Sequence, residues 1–204
     1  TNCLTEDPEV SVIADGRLVA GGETMTAHVG QRRWKVGAGG FWQVHPGAAE
    51  ALADAVVGGL EPHQGDEALD LYCGVGLFAG LLADRGVRVR GVEVSRQAVA
   101  LARRNVPGGR FIAGRVERVL PRMSAKANIV VLDPPRKGAG KAVVQAVART
   151  SPRVIAHVAC DPAALARDLH LFDINGYVPR SIRAFDVFPM THHVEAVAIL
   201  EPKV

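Results

Sequence analysis

Three residues of this 204-residue chain stand where side-chain chemistry could be done. Cys160 ends a strand that reads as buried, Val154 to Ala159, and is followed at once by Asp161-Pro162. Asp is a good helix N-cap and proline suits a first helical turn, so Cys160 falls just ahead of a helix N-terminus. The partial positive charge there favours a thiolate, the reactive form of a nucleophile. A lone cysteine is more commonly a buried packing residue, but here position, cap and strand end agree. Glu195 lies in an apolar run, Val194 to Leu200. Burial there would raise its pKa and suit it to base work; a polar hairpin residue is an equal reading. Asp133 opens the stretch Asp133-Pro134-Pro135-Arg136-Lys137-Gly138, directly after four apolar residues. Its prolines hold an extended backbone at a strand end. Arg136 and Lys137 are candidate phosphate contacts, although exposed charges are more often simply solvating.

A second group suggests a cofactor turn. Asp70-Leu71-Tyr72-Cys73-Gly74-Val75-Gly76 runs from a strand into glycines that permit a tight turn and close approach to a ligand. Glu93 ends the next strand, 19 residues after Gly74, where an acid can accept hydrogen bonds from both ribose hydroxyls. A dinucleotide fingerprint would prefer a third glycine where Ala79 stands, and its looser form tolerates alanine. The motif alone leaves NAD and S-adenosylmethionine both open. Cys73 is assigned to packing and Cys3 carries no signal. Three cysteines without a C-x-x-C pair argue against a disulfide framework or a zinc site. His192 and His193 suggest no third metal ligand, so polar or RNA contacts are expected of them.

These residues need elements to position them. Residues 1 to 44 read as β structure: Val10 to Ala14, a hairpin signal at Asp15-Gly16, Leu18 to Ala20, then Thr24 to Val29 paired with Arg33 to Val36. A flexible turn, Gly37 to Gly40, leads to Phe41-Trp42-Gln43-Val44. From His45 apolar residues take helical spacing to Leu60, with Pro46 in the first turn. Strands then alternate with helices. The strands are Ala68 to Tyr72, Val87 to Val94, Phe111 to Ala113, Ile129 to Leu132 and Val154 to Ala159. Helices run Leu77 to Asp84, from Ser95 to Asn105, through Val143 to Ala148, and from Asp161 to Phe172. Ser181 to Phe185 and Val194 to Leu200 finish the chain with no helix between them. Alternating βαβ units imply a parallel sheet covered on both faces, and the last pair should add one antiparallel strand. That is the methyltransferase variant of the Rossmann-like α/β fold, seven-stranded. It is expected over residues 45–204, with 1–44 a β-rich extension.

Composition sets the outer bounds. The chain is 48% hydrophobic and 5% aromatic, so its core must be mostly Ala, Val, Leu and Ile. A net charge of +3 is compatible with nucleic acid without demanding it. No apolar run approaches the ~20 residues of a membrane span, and no leader opens the chain, so a cytoplasmic protein is expected. The start at Thr1 suggests a processed chain or an excised domain.

Four stretches together resemble one family, the RNA uracil-5-methyltransferases. They are Phe41 to His45, Asp70 to Phe78, Asp133 to Gly138 with Cys160 22 residues later, and Phe185 to Glu195. The resemblance covers about residues 24 to 200. It implies Cys160 as nucleophile and Glu195 as the base that takes the carbon 5 proton. It implies Gln43, Tyr72, Glu93 and Asp133 as contacts to S-adenosylmethionine, with Gly74 and Gly76 shaping the turn. Arg136 and His193 are candidate contacts to an RNA substrate, either rRNA or tRNA. Three positions depart from the family: Ala159 stands where Ser is frequent, Leu77 where Asn is common, and Met190 where a polar residue is usual. Family members also carry an N-terminal RNA-binding barrel, sometimes with iron–sulfur cysteines, expected to be missing from this monomer. An RNA cytosine-5 enzyme would carry a second Cys, and an amino-group methyltransferase an aromatic residue, where Arg136 stands. An RNA-binding protein with a vestigial site is disfavoured by the presence of both Cys160 and Glu195.

Overall fold

A computed structural model describes residues 11–15, 17–123, 126–188, 190–191 and 193–203. Cys3, Val10, Gly16, Pro189 and His192 lie outside the described residues. Two short antiparallel pairs come first: β1 (Val12–Ala14) with β2 (Arg17–Ala20), and β3 (Thr24–Val29) with β4 (Arg32–Gly37). The chain continues as α1 (Ala48–Leu60), β5 (Glu67–Leu71), α2 (Leu77–Ala83), β6 (Arg88–Glu93) and α3 (Arg96–Asn105). Then come β7 (Arg110–Ala113), α4 (Val116–Val119), β8 (Ile129–Leu132), α5 (Gly140–Ala148), β9 (Val154–Ala159) and α6 (Pro162–Ile174). It closes with β10 (Tyr177–Phe185) and β11 (Glu195–Pro202).

Seven strands form one sheet in the order β10-β11-β9-β8-β5-β6-β7. The pairs among β5 to β9 are parallel, and β11 runs antiparallel to both of its neighbours. The expected fold and its one antiparallel strand are therefore present. The central strands β8 and β9 are buried along their whole length, which explains why they are apolar on both faces except at His157. Strand β10 is mostly exposed and carries Pro179, which an edge strand tolerates because one side of its ladder is unpaired. Among the described residues, no helix is long and apolar enough to cross a membrane.

The hairpin β3–β4 packs into the same core as α1, α2 and α3 through Ala27, Val29, Trp34 and Val36. Trp34 is fully buried and donates its indole N–H to the Gly76 carbonyl at 3.2 Å. Asn105 bonds both backbone groups of Lys35 and the Val75 carbonyl. Arg32 reaches Asp84 and the Asn105 carbonyl. Trp34→Ala is expected to destabilise the chain by about 3–5 kcal/mol, the usual cost of deleting a buried aromatic. Denaturant unfolding measures it, and a loss below ~1 kcal/mol would mean that the hairpin contributes little.

Three local expectations are corrected. The first helix begins at Ala48 rather than His45, because the His45 ring and carbonyl accept the Gly47 and Ala48 amides and build a turn first. Phe41–Val44 are irregular rather than β, with Phe41 and Val44 exposed. Tyr72 does not extend its strand: its φ is 65°, and both Tyr72 and Cys73 amides turn onto the Val92 carbonyl.

Candidate active site

The carboxyl ends of the parallel strands carry the candidate residues, where an open α/β sheet leaves its ligand crevice. The turn after β5 is built from unusual backbone. Tyr72, Gly74 and Gly76 all have positive φ, at 65°, 52° and 90°. A side chain at Gly76 would meet Val106 at 3.1 Å, whereas nothing lies within 4 Å of the space beside Gly74. Gly76 is thus required by packing and φ together, and Gly74 leaves an open cradle. The Glu93 carboxylate spans the next strand end, accepting the Gly74 amide at 3.2 Å and the Ser95 amide at 2.8 Å. Ser95 caps α3 by accepting from the Ala98 amide, as its sequence position implies. Tyr72 is half-buried, and burial raises its phenol above the ordinary range.

Beneath this turn lies a carboxyl that the sequence reading did not single out. Asp70 is fully buried, accepts the Ala79 amide at 2.9 Å through Oδ2, and leaves Oδ1 without a protein partner. Burial, with Asp133 and Glu93 nearby, pushes it up to about 8. The available signal was a charged residue inside an otherwise apolar strand. Cys73 is buried against Gly91 and Phe111, the packing role expected of it. Gln43 is half-buried on the irregular segment after β4. Its neighbour Trp42 lies 6.3 Å from Trp34, which holds the Gly76 carbonyl.

The second cluster lies where β8, β9 and β11 end. Ala159 and Ala196 are register partners on the antiparallel pair β9–β11. Cys160 follows the first and Glu195 precedes the second, so the two sit side by side at one end of the ladder. Asp133 stands at the end of the adjoining β8, its amide donating to the Leu71 carbonyl at 3.2 Å. Glu195 is only 4% exposed. Burial pushes it up to about 7, assisted by the charge of Asp133. Asp133 is raised to about 6 by burial, against the lowering effect of His157. Cys160 is a half-exposed free thiol, and Asp161 caps α6 by accepting the Ala164 amide at 2.6 Å. Its expected thiolate character is corrected: burial, then Glu195 and Asp133, raises this thiol above its ordinary value. Arg136, exposed on the loop after Asp133, only partly opposes this. His193 lies two residues before Glu195, its ring edge-on to Phe188 at 6.0 Å.

This arrangement sets a partly exposed thiol beside a buried carboxyl, next to a turn with open space. Comparison with known proteins defines the class. Residues 49–157, more than half of the chain, match the model of the methyltransferase small domain, and the chain belongs to that family. Residues 120–203 match the model of tRNA (Uracil-5-)-methyltransferase, which bears out the resemblance read from the sequence. An uncharacterized RNA methyltransferase of Streptomyces avermitilis is 58% identical over 178 residues, 84% of this chain and 41% of the relative. Another from Bifidobacterium longum is 41% identical over 95% of this chain and 49% of the relative. The crystal structure of Pyrococcus abyssi tRNA (uracil-54, C5)-methyltransferase in complex with S-adenosyl-L-homocysteine superposes with a TM-score of 0.79. It is 32% identical and covers 93% of this chain and 48% of that one. The chain thus spans about half or less of the length of these relatives.

Proposed function

We propose that this chain is the catalytic part of an RNA methyltransferase that moves a methyl group from S-adenosylmethionine to carbon 5 of a uridine. The observation that carries this reading is the placement of Cys160 and Glu195 side by side at the ends of β9 and β11. An amino-group methyltransferase has no use for that pair. The turn after β5 fits the methyl donor. Glu93 keeps lone pairs for ribose hydroxyls, Gly74 leaves space, and the Asp70 Oδ1 is a buried polar atom in want of a partner. Gln43, Tyr72, Gly76 and Asp133 complete the proposed contacts. When bound, the donor would supply an electrophilic methyl on a sulfonium, its methyl–sulfur bond breaking to leave a neutral thioether.

The protein's own groups do the rest. Carbon 5 of uracil is a poor nucleophile until the Cys160 thiolate adds to carbon 6 and makes an enolate. Carbon 5 then takes the methyl group. The Glu195 carboxylate removes the carbon 5 proton, the carbon 6–sulfur bond breaks, and the thiolate returns. The target base must leave its stack to reach this pocket. Arg136 and His193 are the proposed RNA contacts, and the parent protein is proposed to be cytoplasmic and to hold its RNA partly through a separate domain.

The test is transfer of a labelled methyl group from S-adenosylmethionine to RNA by the full-length protein. Transfer is expected, and its absence from total cellular RNA lacking the modification would overturn the reading. Glu93→Ala is expected to weaken S-adenosylmethionine binding on the order of 10-fold or more, by loss of charge-assisted hydrogen bonds. Calorimetry showing unchanged affinity would remove Glu93 from the site.

A further inference from the structure

Two buried polar residues take no part in the chemistry above. His157 and Asp168 are 0% and 2% exposed. Helix α5 begins behind Ala139, which offers no side-chain acceptor. A helix start leaves its first amides without intrahelical partners. Asp168, from the body of α6, supplies what is missing. Its Oδ2 accepts the Ala139 amide at 2.7 Å and its Oδ1 the Gly140 amide at 3.0 Å. The same Oδ2 lies 3.0 Å from His157 Nε2. The other ring nitrogen, Nδ1, lies 3.0 Å from the Val158 carbonyl oxygen. Both neighbours are acceptors, so the ring satisfies both only with a proton on each nitrogen. Such a cation would be the counter-charge a buried carboxylate requires. Burial acts to raise Asp168, but the bonds from His157, Ala139 and Gly140 outweigh it and hold the carboxyl below its ordinary value.

The place of this pair gives it a consequence for the site. The loop from Asp133 to Gly138 carries Asp133 and Arg136. One end is held at β8 by the Asp133 amide, and its turn closes with the Gly138 amide on the Pro135 carbonyl at 2.8 Å. The other end is held by Asp168. Gly138 has φ +84°, and a Cβ there would sit 2.7 Å from Asp168 Oδ2, so loop and carboxylate are fitted against each other. His157 stands on β9, three residues before Cys160, and a protonated ring there would favour the ionised form of Asp133. The pair therefore joins the strand that ends at Cys160 to the loop that carries Asp133 and Arg136.

We infer that His157 and Asp168 form a buried ion pair that positions the Asp133–Gly138 loop against Cys160, a positioning pair for methyl transfer. This rests on the function proposed above. Two measurements on the full-length protein test it. The first is the nitrogen NMR spectrum of the histidine rings at neutral pH, assigned through loss of one signal set in His157→Gln. Both ring nitrogens of His157 are expected to carry a proton; a neutral ring would overturn the ion pair. The second is steady-state kinetics of His157→Gln and Asp168→Asn, at temperatures where circular dichroism shows each to be folded. Values of kcat should fall about 10- to 100-fold, as misplacement by about an ångström does, with KM for RNA within about twofold. His157→Gln keeps a donor toward Asp168, so it carries the test if Asp168→Asn does not fold. A lowered melting temperature with unchanged kcat would show a purely structural pair and overturn the inference. If the unmutated protein transfers no methyl to RNA, the functional reading fails, and the NMR result still decides whether the ion pair exists.

Discussion

Glu195→Gln is expected to leave RNA covalently attached to the protein. Glutamine matches glutamate in shape and cannot accept the carbon 5 proton, so the reaction should stop after methyl transfer with carbon 6 still bonded to Cys160. Turnover should fall about 10²- to 10⁴-fold, the usual worth of a positioned base. The adduct should survive denaturing electrophoresis. The same base sets a pH dependence. Glu195 acts only when ionised, and burial places its pKa at about 7, so product release by the unmutated enzyme should quicken as pH rises through that value. In Glu195→Gln that rise should vanish. Normal release of methylated RNA by the variant would exclude Glu195 as the base.

Cys160→Ala should abolish methylation, by on the order of 10⁴-fold or more, because without addition at carbon 6 no enolate forms. The adduct seen with Glu195→Gln should be absent from the double variant. RNA carrying 5-fluorouridine separates this from a folding defect. Fluorine cannot leave as a proton does, so the unmutated protein should be trapped on such RNA and Cys160→Ala should not. The raised pKa of the Cys160 thiol adds a condition. With Glu195 and Asp133 beside it, the thiolate forms only against negative charge, so binding of the cationic donor should assist it. Retained turnover in Cys160→Ala, or an undiminished fluorouridine adduct, would remove the nucleophile and the uracil-5 reading together.

Much of this was legible in the sequence because the signals were local. Four apolar residues stopping at Asp133 mark a strand end, and Asp161-Pro162 marks a helix start; both lie where the backbone turns. The final hairpin was legible because no helical spacing separates its strands. What escaped depends on groups distant in the chain. Asp168 caps a helix whose first residues lie 28 or 29 positions earlier, and no cap motif at Ala139 announces it. The left-handed Tyr72 follows from two amides sharing the Val92 carbonyl on the neighbouring strand. The direction of the Cys160 shift was misjudged because the helix start was visible locally, while the burial that chiefly raises it, and the carboxylates from β8 and β11 that add to it, arise only in the folded sheet. The starting point of α1 was missed because the His45 side chain, not Pro46, sets the first turn.

The most direct test of the central claim is the identity of the methylated nucleoside. Full-length protein would be incubated with RNA from a strain lacking it and with labelled S-adenosylmethionine, the RNA digested to nucleosides, and the labelled product resolved by mass spectrometry. The expected product is 5-methyluridine, formed by the unmutated protein and absent with Cys160→Ala. Label in 5-methylcytidine, or on the nitrogen of any base, would contradict a uracil-5 enzyme built around Cys160 and Glu195.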